Sequence, residues 1–155
     1  MKIIFLDYDG VVNNLCFYDI NGEPNFNFPN LKQVNDFQSV AWLNKICREF
    51  NTKIIVTSTW RTRPDYQECL YNAGFNGEIL GRTPAIDGYR GKEIAAWLDE
   101  NQNLDIEDFI ILDDDADMRP YMDHLIQTDG ILGLGYYEYE KICERWKVNF
   151  PYKIK

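Results

Sequence analysis

The chain has 155 residues, 45% of them hydrophobic and 15% aromatic, which is enough to bury a core and too apolar for a disordered chain. Its 25 acidic against 16 basic side chains leave a formal charge of -9. That balance argues against a general nucleic-acid or anionic-membrane surface, because both attract positive fields.

The pattern alternates short apolar runs with helical periodicity. KIIFL (2–6) is continuously apolar and reads as a strand buried on both faces. It runs into Asp7 and Asp9, spaced i, i+2, then Gly10-Val11-Val12. Residues 13–37 are rich in Asn, Pro and Phe without a clear period and read as a long loop. Phe17, Tyr18, Phe26 and Phe28 are expected to form a small lid there or to pack over the sheet edge. From Ser39, an expected N-cap, the spacing Val40, Leu43, Ile46/Cys47, Phe50 predicts an amphipathic helix.

KIIV (53–56) predicts a second buried strand, ending in Thr57-Ser58-Thr59-Trp60-Arg61. A short helix follows over 64–73, entered at Pro64 and stopped by Gly74, then a weak strand over 78–80. A helix is predicted from Gly91 to Glu100, with Ile94, Trp97 and Leu98 inward. FIIL (109–112) is a third strong strand, ending in Asp113-Asp114-Asp115. A short strand at 125–129 and a helix over 136–146 complete the chain. The alternation predicts a three-layer α/β/α, Rossmann-like sandwich around a mostly parallel sheet, in one domain over 1–155.

Cys16, Cys47, Cys69 and Cys143 lie far apart with no C-x-x-C and read as free thiols, those of Cys47 and Cys143 buried. The first apolar run is too short for a signal peptide, and no segment reaches the ~20 apolar residues of a membrane helix. The location expected is cytoplasmic.

Asp7/Asp9, Thr57/Ser58 and Asp113/Asp114 each follow a strong strand, and in an open parallel sheet ligands bind beyond the carboxyl ends of the strands. Lys92, at the start of the predicted helix, can reach the same edge. Phosphoryl transfer needs these types: a carboxylate to attack phosphorus and a second acid to protonate the departing oxygen and then activate water. It also needs carboxylates to hold a hard cation, and a hydroxyl and a lysine to bind the phosphoryl oxygens. A calcium loop is excluded for Asp7/Asp9 because apolar Val11 and Val12 follow Gly10. A lysine in a first helical turn opposes the helix dipole and so calls for another role; Arg90 is the substitute for Lys92. Arg61 reads as a substrate contact or as half of a structural salt bridge. His124 reads as incidental, Gly133-Leu134-Gly135 is no dinucleotide fingerprint, and Tyr136, Tyr137 and Tyr139 read as helix packing.

FLDYDGVV (5–12), IIVTS (54–58), Lys92 in RGKEIAAWL and IILDDDADM (110–118) resemble, in order, the four motifs of the haloacid dehalogenase-like (HAD) superfamily. The resemblance implies Asp7 as nucleophile and metal ligand. It implies Asp9 as general acid/base and as a metal ligand through its backbone carbonyl, and Thr57 (or adjacent Ser58) and Lys92 as phosphoryl ligands. Asp113 and Asp114 would complete a Mg2+ site. Gly10, Ser58 and Arg61 are expected on the substrate side. The second Asp of D-x-D favours phosphatase over dehalogenase. VTSTWR, FLDYDGVVN, ILDDDADM and TDGILGLG are further similar to the small HAD domains of multidomain RNA-repair proteins, which implies a phosphorylated nucleic-acid end or a nucleotide as substrate.

Residues 53–92 carry six basic and four acidic side chains, whereas 100–129 carry ten acids and one base. A locally basic rim can receive a nucleic-acid end but not an extended duplex footprint. The intervals between motifs leave little room for a cap domain, so the site is expected to be open. The expectation is a Mg2+-dependent phosphomonoesterase or nucleotidase working through an aspartyl-phosphate, with no membrane partner. The alternatives are a general small-molecule phosphatase and, in another class, a non-enzymatic receiver-like phospho-switch or binding module. In receivers the lysine comes last in the chain, whereas Lys92 precedes Asp113.

Overall fold

The computed structural model describes residues 1–22 and 35–146. Five strands, β1 (Lys2–Leu6), β2 (Thr52–Val56), β3 (Ile79–Arg82), β4 (Asp108–Asp113) and β5 (Leu125–Gln127), form one sheet in the order β3-β2-β1-β4-β5. All four pairings are parallel. This is a three-layer α/β Rossmann-like arrangement. The order is 3-2-1-4-5 and not the 2-1-3-4-5 of receiver sheets.

Strand alternation divides the core in two. Ile4 and Leu6 of β1, Ile54 and Val56 of β2, and Ile110 and Leu112 of β4 point to one face. There they meet Val40, Leu43 and Ile46 of α2 (Phe37–Phe50), Leu70 of α3 (Tyr66–Asn72), and Tyr139 and Ile142 of α5 (Tyr136–Arg145). Ile3, Phe5, Ile55 and Ile111 point to the other face, covered by Ile94 and Trp97 of α4 (Arg90–Glu100). Continuously apolar β1 and β4 therefore serve two covered faces, as their sequences predict.

Most elements lie within one or two residues of expectation, with two differences. Residues Leu15–Asn21 of the expected loop form a helix, α1, capped by Asn14, whose side chain accepts from the Phe17 N–H at 2.8 Å. No α1 residue is buried, so no apolar stripe announces it. Residues 23–34, with Phe26 and Phe28, lie outside the described residues. Helix α2 begins at Phe37 with Asp36 as N-cap, accepting from Gln38 N–H at 3.0 Å. Ser39 instead donates to Asp36 from within the first turn, at 3.1 Å. The four cysteines are free, with Cys47, Cys69 and Cys143 buried and Cys16 exposed. Among the described residues no helix is long and apolar enough to cross a membrane.

Hydrogen bonds continue past the strand ends. Asp7 N–H donates to Leu112 O at 2.9 Å, Thr57 N–H to Leu6 O at 2.8 Å, and Thr128 N–H to Asp113 O at 3.0 Å. They lock the residues after β1, β2 and β5 into one edge, at the end of β4.

Candidate active site

Asp7 is buried, with 5% of its surface exposed, and Asp113 with 1%, while Asp114 is exposed. One carboxylate oxygen from each of the three lies within 4.8 Å of the others. Burying like charges together is unfavourable unless something offsets them. Burial pushes the Asp7 carboxyl up to about 6, against the opposing pull of Arg90 and Ser58. Burial, then repulsion from Asp7, pushes Asp113 up to about 8. Asp114 is also raised, chiefly by desolvation.

Arg90, the first residue of α4, is the cation that faces this cluster, 3.7 Å from Asp7 Oδ1 and 3.6 Å from Asp113 Oδ2. Both distances exceed a hydrogen bond. Arg90 Nη1, Asp113 Oδ2 and Thr57 Oγ1 are buried without a hydrogen-bond partner among the described residues. The other Asp113 oxygen accepts from Asp115 N–H at 2.9 Å. Unpaired buried polar atoms are uncommon in folded proteins and call for a ligand, an ion or water. An all-carboxylate donor set with a free buried oxygen fits a hard divalent cation such as Mg2+.

Two glycines make the cluster possible. Gly10 has φ +76, and a Cβ there would lie 2.5 Å from Asp114 Cγ. The turn and the approach of Asp114 both require its missing side chain. A Cβ on Gly91 would lie 2.8 Å from the carbonyl carbon of Arg119. Its absence lets the start of α4 pack on the loop after β4, which brings Arg90 to Asp113.

The remaining expected residues fall in different places. Ser58 is fully buried; its Oγ accepts from Trp60 N–H at 3.3 Å, and its hydroxyl helps stabilise the Asp7 carboxylate. Gly10 donates its N–H to Asn13 Oδ1 at 3.1 Å and accepts from Thr128 Oγ1 at 2.8 Å. Lys92 is exposed, its Nζ 5.2 Å from the centre of the Tyr89 ring; among the described residues it makes no ion pair with Asp7. Asp9 is exposed at the rim.

Arg61 takes the structural course of its two readings. Its Nε donates to Thr83 O at 3.1 Å, Nη1 to Thr57 O at 2.7 Å and to Ser58 O at 2.9 Å. Its Nη2 bonds Pro84 O and the buried Glu93 carboxylate. All five donors are committed, which leaves none for a substrate. Arg61 acts on the site by fixing the carbonyls of Thr57 and Ser58. Sequence reasoning did not find Glu93, Asn13 or Thr128, whose parts depend on partners 32, 4 and 118 positions away.

Residues 3–138 match the model of a family described as the HAD domain in Swiss Army Knife RNA repair proteins. No curated protein matches the chain, and neither does any solved structure.

Proposed function

Because the chain belongs to the family of HAD domains in Swiss Army Knife RNA repair proteins, we propose that it is a Mg2+-dependent phosphomonoesterase acting on nucleotides or phosphorylated nucleic-acid ends. The observation that carries this reading is the convergence of buried Asp7 with two further carboxylates, Asp113 and Asp114, beside a partly unpaired guanidinium, Arg90. A nucleophilic carboxylate needs positive charge nearby and a place for a cation, and this arrangement supports both.

An Asp7 oxygen attacks phosphorus as the bond from phosphorus to the leaving oxygen breaks, and Asp9 delivers a proton to that oxygen. Asp9 then removes a proton from water, whose oxygen attacks the aspartyl-phosphate. The Asp7–phosphorus bond breaks, releasing inorganic phosphate and restoring Asp7. Thr57 or Ser58 and, after leaving the Tyr89 ring, Lys92 hold the phosphoryl oxygens, with Arg90 already beside them. Asp7, Asp113, Asp114 and the Asp9 carbonyl would hold Mg2+, which would supply positive charge to offset that of the phosphoryl group. The 3-2-1-4-5 strand order weighs against a receiver-type switch.

The test is Mg2+-dependent phosphate release from an aryl phosphate, mononucleotides, and oligonucleotides with a 3′- or 5′-terminal phosphate, with Asp7→Asn as control. Release from nucleotides or oligonucleotide ends, lost in Asp7→Asn, is expected. Equal release by both proteins would refute the mechanism, and release from the aryl phosphate alone would leave only a general phosphatase.

A further inference from the structure

Asp9 does not hang free at the rim. The indole Nε1–H of Trp60 donates to both of its carboxylate oxygens, at 3.1 Å to Oδ1 and 3.0 Å to Oδ2. Asn13 Nδ2 donates to Oδ1 at 3.0 Å. Among the described residues Oδ1 thus receives two donors and Oδ2 only the shared one, which makes the two oxygens inequivalent.

Trp60 is itself held firmly. It is 7% exposed and lies in the 3-10 turn Thr59–Thr62 directly after β2, where its backbone N–H bonds Ser58 Oγ. Arg61, in the same turn, ties down the carbonyls of Thr57 and Ser58. The Arg63 guanidinium lies 5.5 Å from the Trp60 ring centre and is paired with Asp65. Asp9 and Trp60 together form one wall of an open cleft of about 380 Å³, lined also by Thr59, Thr62 and Arg63.

We propose that Trp60 is a positioning residue for proton transfer, with its indole N–H orienting the Asp9 carboxyl so that Oδ2 faces the departing oxygen of a substrate whose leaving group occupies this cleft. This rests on the phosphomonoesterase reading above. A carboxyl on a solvent-exposed turn otherwise rotates freely about χ2, and only a fraction of its orientations aim a proton at the leaving group. A donor fixed by a buried ring removes that freedom where an exposed side chain could not. In the transferring step the Asp9 Oδ2–H bond breaks and an O–H bond forms on the leaving group, while Trp60 keeps its proton.

The experiment compares wild-type protein with Trp60→Phe, which keeps the aromatic ring and deletes the N–H. The substrates are oligonucleotides with a terminal phosphate and their counterparts in which sulfur replaces the bridging leaving oxygen. A thiolate departs without a proton, so in formation of the aspartyl-phosphate, the step that kcat/KM reports, only the oxygen substrate depends on Asp9; hydrolysis of that intermediate is common to both. Trp60→Phe is expected to lower kcat/KM on the oxygen substrate about tenfold or more, with kcat/KM on the sulfur substrate altered less than about twofold. Both rates come from one preparation, so partial unfolding lowers them equally and cancels in their ratio. Should Trp60→Phe fail to fold, Asn13→Ser removes the other donor and is expected to change the ratio in the same direction, less strongly. An unchanged oxygen-to-sulfur ratio in a folded variant would overturn the assignment of Trp60 alone. Wild-type protein that releases phosphate from neither substrate would overturn the phosphatase reading on which it rests.

Discussion

Arg90 Nε stands 3.6 Å from Asp113 Oδ2, and neither that oxygen nor Arg90 Nη1 has a hydrogen-bond partner among the described residues. The cation therefore offsets part of the charge on Asp7 and Asp113 without satisfying either carboxylate. Between the ordinary carboxylate value of 3.8 and the raised values of about 6 and about 8, the folded state binds more protons than the unfolded one. The metal-free protein should therefore lose stability as pH rises from about 4 to about 8, because deprotonation is easier in the unfolded chain. Thermal melts across that range in chelator should show the decline, and saturating Mg2+ at pH 8 should reverse it. Asp113→Asn should melt higher than wild type in chelator at pH 8 and lose the Mg2+-dependent rise.

The two basic residues at the start of α4 should separate by readout. Lys92 is exposed, with its Nζ over the Tyr89 ring, so Lys92→Ala should leave the melting temperature within about 2 °C of wild type while lowering kcat/KM about a hundredfold. Arg90→Ala should lower both activity and, at pH 8 in chelator, stability, because it strips the cation from two buried carboxylates. Parallel melting and phosphate-release measurements on the two variants check this division.

Glu93 and Arg61 form a buried ion pair, with side chains 12% and 6% exposed. Removing one partner of such a pair leaves a buried charge behind, so Glu93→Ala should cost about 3 kcal/mol in denaturant unfolding. Arg61→Lys should also destabilise, because one ammonium cannot replace a planar fork bonded to four carbonyl oxygens and a carboxylate.

Gly10→Ala places a methyl group on a residue with φ +76 and into the space of the Asp114 carboxylate. The backbone strain alone should cost about 1–3 kcal/mol. Displacement of Asp114 should weaken Mg2+ binding as well, read by titrating the melting temperature with Mg2+. Gly22→Ala, also at positive φ but with open space around it, should share only the strain.

Much of the layout was legible because it rests on local pattern. The apolar runs of β1, β2 and β4 are strands with two buried faces, and the period of Val40, Leu43 and Ile46 is a buried helix face. Helix α1 was not legible, since none of its residues is buried and a helix without an apolar stripe leaves no periodic trace. The cap of α2 was misplaced for a similar reason: Asp36 and Ser39 are both good capping residues, and which side chain turns back onto the backbone is decided by packing.

By itself the sequence determined that Asp7, Asp9, Thr57, Ser58, Asp113 and Asp114 follow strands, because burial and strand period are properties of short segments. The tertiary structure decided what those residues meet. Close packing at Gly91 brings Arg90, and not Lys92, to the buried carboxylates. Contacts across 32 and 51 positions commit Arg61 to Glu93 and bind Trp60 to Asp9. Side-chain pairing of that kind depends on how the chain returns to one sheet edge, and no local pattern encodes it.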